Sequence, residues 1–230
     1  MGKKNRTRLA SGLTKGRKTR VAIVDRAMHV AASEGLGAIS IGRLAKELKM
    51  TKSGLFIHFG SKEKLEAAVV TRASEIFFGH VIGPAEGEVK AGIERVWVLC
   101  DSWLEFVEKR VLLGGYFFTG AFVVSAEQHG FIARRIRDVV DQWVNALRKA
   151  VDEARHRLEL RMDVNAKRTA FELNSLLLGA QWSRLFAHLD HSKARLAILA
   201  KLKSLATERI PSDAFDSVTA WHHYLGARDS

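Results

Sequence analysis

Thr51, Lys52, Ser53 and Gly54 are consecutive in this chain, and such a small, polar, cationic set at the head of a short helix suits contact with base edges and phosphates. Around them, residues 40–66 read SIGRLAKELKMTKSGLFIHFGSKEKLE. Ser40 is a good N-cap, and Ile41, Leu44, Ala45 and Leu48 then fall on one face, predicting a helix of about three turns with Arg43, Lys46 and Lys49 on its other face. Lys49 and Met50 form a turn in which Lys49 takes the left-handed conformation usual for glycine. Thr51 caps a second helix with Leu55, and Phe56 or Phe59, facing inward. Gly54 costs about 1 kcal/mol of helix propensity against alanine, for which close approach to DNA is the expected return. Ser61 caps a third helix beginning Lys62-Glu63-Lys64-Leu65. An ordinary three-helix packing unit has the same outline, but here capping, turn spacing and cation placement agree on a DNA reader.

These residues resemble the DNA-binding domain of the TetR family of bacterial regulators over roughly 19–66. The correspondence runs through Glu34-Gly35, Ser40-Ile41, Leu44-Ala45, the segment from Thr51 to Phe59, and Ser61-Lys62-Glu63. The resemblance implies contact with duplex DNA by Ser40, Arg43, Thr51, Lys52, Ser53, Gly54, Phe56, His58 and Lys62. His58 is expected to pack or face phosphate and not to transfer protons. The chain departs from the family at Phe56 and Ile57, where tyrosines that can bind phosphate are common. Phosphate anchoring should then fall to Lys62, Lys52, Ser40 and Arg43.

Charge points to the same partner. The net charge is +12, and the first twenty residues contribute Lys3, Lys4, Arg6, Arg8, Lys15, Arg17, Lys18 and Arg20 with no acid. Residues 1–18 read as a basic flexible arm that favours phosphate and can reach a minor groove; the alternative is a solubilising tail.

With 230 residues, 47% of them hydrophobic, the chain can bury a large core. No apolar run approaches a membrane span and no hydrophobic signal segment follows the charged start, so a cytoplasmic location is expected. The single cysteine, Cys100, excludes an internal disulfide framework and reads as a small buried residue. No nucleophile elbow, glycine-rich phosphate loop or paired metal motif is present, so no catalytic residue, cofactor or metal is expected. The histidines of His188-Leu189-Asp190-His191 and His222-His223 read as solvated.

The periodicity predicts an all-α chain: an N-terminal three-helix helix-turn-helix domain over 19–66, a helical effector-binding and dimerisation domain over 67–210, and a tail over 211–230. The first helix spans 19–34, with Ile23, Ala27, Val30 and Ala31 inward, and the helix from Ser61 runs to about Gly79. Gly83, Pro84 and Gly87 mark a loop. A helix over 88–110 follows, with Ile93, Val96, Trp97, Cys100, Leu104 and Val107 inward, then an apolar segment at 114–125 and long helices over 128–158 and 164–189. A short helix after Pro211 presents Phe215, Val218, Trp221 and Leu225 on one side.

The second half also resembles TetR-family C-terminal domains, in Gly114-Gly115-Tyr116-Phe117-Phe118, Leu160-Arg161-Met162-Asp163-Val164 and Ala170 to Ala180. The resemblance implies a homodimer that binds a small molecule and represses from a palindromic operator. The long helices suit an interface of Val140, Trp143, Leu147, Leu177, Gly179 and Ala180, because 171–186 is apolar nearly all round. Trp97, Trp103, Phe117, Phe118, Phe122 and Trp182, with Asn174 and Gln181 as polar anchors, make an expected pocket for a mainly apolar or aromatic effector; aromatic stripes at this spacing also arise as plain core. A ligand-independent architectural DNA binder is the competing reading.

Overall fold

The computed structural model describes residues 3–86, 91–112, 130–187 and 191–228. Among them there is no strand, only an isolated bridge between Leu160 and Ala206. The chain divides into two compact units. One is built on residues up to Ile76 with the stretch ending at Arg137, and the other on Phe77 to Gly114 with Asp138 onward. The division therefore falls later than residue 66, because the helix that starts at Lys62 runs unbroken to Val81.

In the first unit α1 spans Lys3–Glu34, a 3₁₀ turn Leu36–Ala38, α2 Ile41–Glu47, α3 Lys52–Phe59 and α4 starts at Lys62. Residues 3–18 are helical and continuous with α1, which corrects the expected flexible arm: the stretch lacks proline and is rich in long unbranched side chains that suit a helix. α1 stops at Gly35, whose φ of 88° an L side chain would resist. The predicted stripe Ile23, Ala27, Val30 and Ala31 is buried, and it meets Leu44 and Ala45 of α2, Leu55 and Phe59 of α3, and Leu65 and Val69 of α4 in one core.

The second unit holds α5 (Gly83–Glu86), α6 (Ile93–Glu108), most of α7 (Phe131–His156), α8 (Ala166–Ala187), α9 (Ser192–Leu205), a 3₁₀ turn (Ser212–Phe215) and α10 (Val218–Arg228). Gly83 and Pro84 open a short helix where a loop was expected, since proline in a first turn lacks only an N–H that would have no helical partner. All six residues predicted inward on α6 are buried, and the helix packs against both α8 and α9. Arg195 of α9 ties the two by donating to Asp101 at 2.6 Å and to Glu108 at 2.8 and 3.1 Å. The segment predicted at 114–125 lies outside the described residues.

α6 begins later than predicted because Gly92 has a φ of 98° and the space a side chain would need there is filled by the Glu159 carboxylate. That carboxylate is only 7% exposed. One oxygen accepts the Ile93 N–H at 2.8 Å and the other accepts from Arg228 of α10 at 2.6 Å. The tail is thereby fixed to the unit. Its Trp221 is fully buried, 6.0 Å from the ring of Trp97 and 5.0 Å from Phe215. Cys100 is fully buried too, and burial, with Asp101 adjacent, pushes its thiol well above the ordinary cysteine range. Ellman's reagent at pH 8 is expected to leave the native protein unlabelled and to titrate one thiol in guanidinium; rapid native labelling would contradict this burial.

Candidate nucleic-acid interface

The turn between α2 and α3 is closed by the backbone. Met50 N–H donates to Ala45 O at 2.8 Å and Lys49 N–H to Lys46 O at 3.3 Å, the paired bonds of a Schellman ending. Lys49 occupies its left-handed position with φ 53°, as predicted. This conformation costs a side-chain-bearing residue about 1 kcal/mol, which a cation near a polyanion offsets. Lys49→Gly is accordingly expected to raise the unfolding free energy by up to about 1 kcal/mol while weakening DNA binding at low salt. Thermal melts and a titration at two salt concentrations check both halves.

Thr51 caps α3: its Oγ1 accepts the Gly54 N–H at 3.0 Å. A Cβ on residue 54 would sit 2.9 Å from that oxygen, so the need for glycine arises within the cap, a reason independent of DNA. Leu55 and Phe59 face the core, which settles the inward pair as Phe59 and leaves Phe56 47% exposed. Thr51, Lys52 and Ser53 are exposed, and the end of the Lys52 side chain lies over Gly42 of α2. Ile57 is 83% exposed. His58 is half-buried, and its carbonyl accepts from Arg20, whose guanidinium stacks 4.2 Å over the Phe59 ring. Ser61 caps α4 through Lys64 N–H at 3.1 Å.

Three expected phosphate anchors are placed differently from their sequence reading. Ser40 stands at the N-cap of α2, but its hydroxyl makes no capping bond and α2 has seven residues, about two turns where three were predicted. Lys62 donates to Gly37 O at 3.2 Å and pairs with Glu66 at 3.5 Å, bridging the 3₁₀ turn and α4. Arg43 is already occupied: both terminal nitrogens donate to Glu34 at 2.6 and 2.7 Å, and Nε donates to Glu47 at 3.0 Å. Glu47 also accepts from Arg26 at 2.7 Å. In the free protein Arg43 therefore fastens α2 to α1. Sequence reasoning missed Arg26 and Glu34 as its companions, although Glu47, four residues on, was a visible signal.

Hydrogen bonds from Arg26 and then Arg43 pull the Glu47 carboxyl down to about 2, and Arg43 lowers Glu34 in the same direction. Depressed carboxyls stabilise fully above their unfolded value, near 4.3 for glutamate, and lose that contribution as pH falls toward the folded value. The melting temperature is expected to fall between pH 4.5 and 2, and less steeply in Glu47→Gln. Identical pH profiles would remove the network's role.

The described residues expected around an effector lie on α6 and α8, which pack together. Trp97 is buried beneath Trp221 and His222 of the tail, and Asn174 spends its Oδ1 on the Trp143 indole N–H at 2.9 Å. Trp103 and Gln181 are buried, Trp182 is 46% exposed, and Phe117, Phe118 and Phe122 lie outside the described residues. The expected dimer face needs correction as well. Trp143, Leu147, Leu177 and Ala180 are buried in the chain's own core, while Gly179 is exposed and Val140 half-buried. Among the described residues no group of three His, Cys, Asp or Glu side chains could hold a metal. His191, expected to be solvated, is 1% exposed and 3.5 Å from Glu108.

A capped two-helix reader with an exposed cationic N-terminus, set on a third helix, defines a helix-turn-helix regulator of transcription. Residues 23–69 match the family model for bacterial regulatory proteins of the tetR family, and residues 92–198 match that for the tetracyclin repressor-like C-terminal domain. The chain belongs to the TetR family of DNA-binding transcriptional regulators. Solved structures share the fold. A TetR transcriptional regulator from Chloroflexus aurantiacus J-10-FL is 22% identical, with 93% of each chain covered and a TM-score of 0.67. A putative transcriptional regulator from Saccharomonospora viridis, in complex with choline, is 17% identical over 84% of this chain and all of its own, with a TM-score of 0.73. AibR, in complex with isovaleryl coenzyme A and operator DNA, is 18% identical over 81% of this chain and 97% of its own, with a TM-score of 0.60. No curated protein sequence matches significantly. Among the described residues no helix is long and apolar enough to cross a membrane.

Proposed function

We propose that the chain is a homodimeric repressor that reads a palindromic operator and is released by a small, mainly apolar or aromatic effector. The observation that carries this reading is the outward face of α3, where Lys52 and Ser53 stand exposed beside the Thr51 cap in the position from which a recognition helix meets base edges. Dimerisation is assigned to the exposed face of α8, which keeps Gly179 of the residues the sequence suggested. Phe171 is 67% exposed, Leu178 37% and Trp182 46%, and with exposed Ser175 and Gly179 they recur at the spacing of one helix face. Small residues between large apolar ones let a second helix approach closely. A two-fold pair would present two α3 helices to half-sites one DNA turn apart, about 34 to 36 Å, or at a longer spacing. A small-molecule effector is supported by AibR, described with an acyl coenzyme A and operator DNA, and by the choline complex of the S. viridis protein.

Selection of bound sequences from random duplex DNA, followed by titration of one of them at two salt concentrations, tests the reading. A palindromic consensus bound by two chains supports it. Binding without a consensus, dependent on salt alone, would favour the architectural alternative.

A further inference from the structure

α3 carries its most exposed apolar side chain where a DNA reader would ordinarily place a polar one. At about 100° per residue, Leu55 and Phe59 define the inward direction of the helix, and Ile57 lies about 180° from their mean. The exposures agree: Leu55 is fully buried, Phe59 6% exposed and Ile57 83% exposed. Ser53, four residues before Ile57, is exposed on the same pole, and Phe56, 47% exposed, flanks it. Neither Phe56 nor Ile57 can donate or accept a hydrogen bond from its side chain, so phosphate anchoring is closed to both.

We propose that Ile57, flanked by Phe56, reads thymine by packing on its 5-methyl group in the major groove, making it a specificity residue for the operator. This rests on the DNA-binding reading above and extends it to which base is chosen. In the major groove the thymine methyl is the apolar feature that an aliphatic side chain recognises. Charge complementarity selects nucleic acid as the occupant over an apolar protein partner. Lys46, Lys49 and Lys52 are exposed on α2, the turn and α3, α3 carries no acid, and Glu47 of α2 is consumed by Arg26 and Arg43. Ser53 supplies the adjacent hydrogen bond, so one face of α3 reads a polar edge and the methyl beside it.

The test uses the full chain and a duplex selected as above, made once with thymine and once with deoxyuridine throughout, each titrated by fluorescence anisotropy at one salt concentration. Loss of a buried methyl is worth about fourfold in affinity, so about fourfold per half-site is expected between the two duplexes. Ile57→Ser should bind the thymine duplex more weakly and should discriminate less between the two. Since Ile57 is exposed, that variant keeps the fold, which circular dichroism verifies. Equal binding of both duplexes by the native protein would overturn the proposal, as would discrimination undiminished in Ile57→Ser, which would point to duplex shape instead. Recovery of no bound sequence from the selection at low salt would overturn the DNA-binding reading itself.

Discussion

Leu177→Arg is expected to yield no folded protein, whereas Leu178→Arg, one residue further on, is expected to fold normally and run as a monomer. The two leucines are neighbours on α8 with opposite fates: Leu177 is fully buried among the helices of its own unit and Leu178 is 37% exposed. An unpaired guanidinium in the first position carries a desolvation penalty of several kcal/mol on top of lost packing, comparable with the whole ~5 to 15 kcal/mol stability of a typical domain. In the second position it meets solvent in the monomer and an apolar partner surface only in the proposed dimer. Sedimentation should show a single chain for Leu178→Arg, and operator affinity should fall by roughly 10² or more because two half-sites are no longer engaged together. A dimeric Leu178→Arg protein would refute the α8 interface, and a well-folded Leu177→Arg protein would refute the burial.

Arg228→Ala is expected to cost about 3 kcal/mol of stability in the second unit, a large effect for a residue in the last turn of the last described helix. The reason lies at the other end of its bond. Glu159 is 7% exposed, and without Arg228 its charge keeps, among the described residues, the Ile93 N–H at 2.8 Å and Arg157 at 3.7 Å. Removing one partner of a buried pair leaves an uncompensated charge; the lower end of the usual ~3 to 5 kcal/mol applies because Arg228 is itself 22% exposed. Glu159→Gln made together with Arg228→Ala should recover part of the loss, since a neutral amide can stay buried at lower cost. Urea unfolding of the four proteins in the cycle measures the coupling, and additive losses would show that the pair does not act as a unit.

How much of this was visible in the sequence depends on the range of the interaction that fixed each residue. The caps at Thr51 and Ser61 and the left-handed Lys49 are decided within a few residues, so they could be read directly. Apolar and polar residues are spread round α8, so its pattern lacks a phase and could not say that Leu177 faces in and Leu178 out. Arg43 looked like a phosphate anchor because its i+4 partner Glu47 explained only one of its bonds; Glu34 reaches it from the end of α1 through tertiary packing. Trp97 looked like a pocket wall because its cover, Trp221, comes from the far end of the chain. The basic composition of residues 3–18 suggested an unstructured arm, where the chain is helical.

The Glu159 carboxylate draws its two principal partners from opposite directions along the chain: Ile93 lies 66 residues before it and Arg228 69 residues after. A ribosome delivers them in that order. At about 5 to 20 residues per second, a nascent chain that has just emerged through Glu159 waits roughly 3 to 14 s for its counter-charge, with the head of α6 capped by an uncompensated acid. The helix-turn-helix contacts between α2 and α3 close within a short span and need no such wait. During synthesis the DNA-reading helices can therefore form while the tail that neutralises Glu159 is still to come.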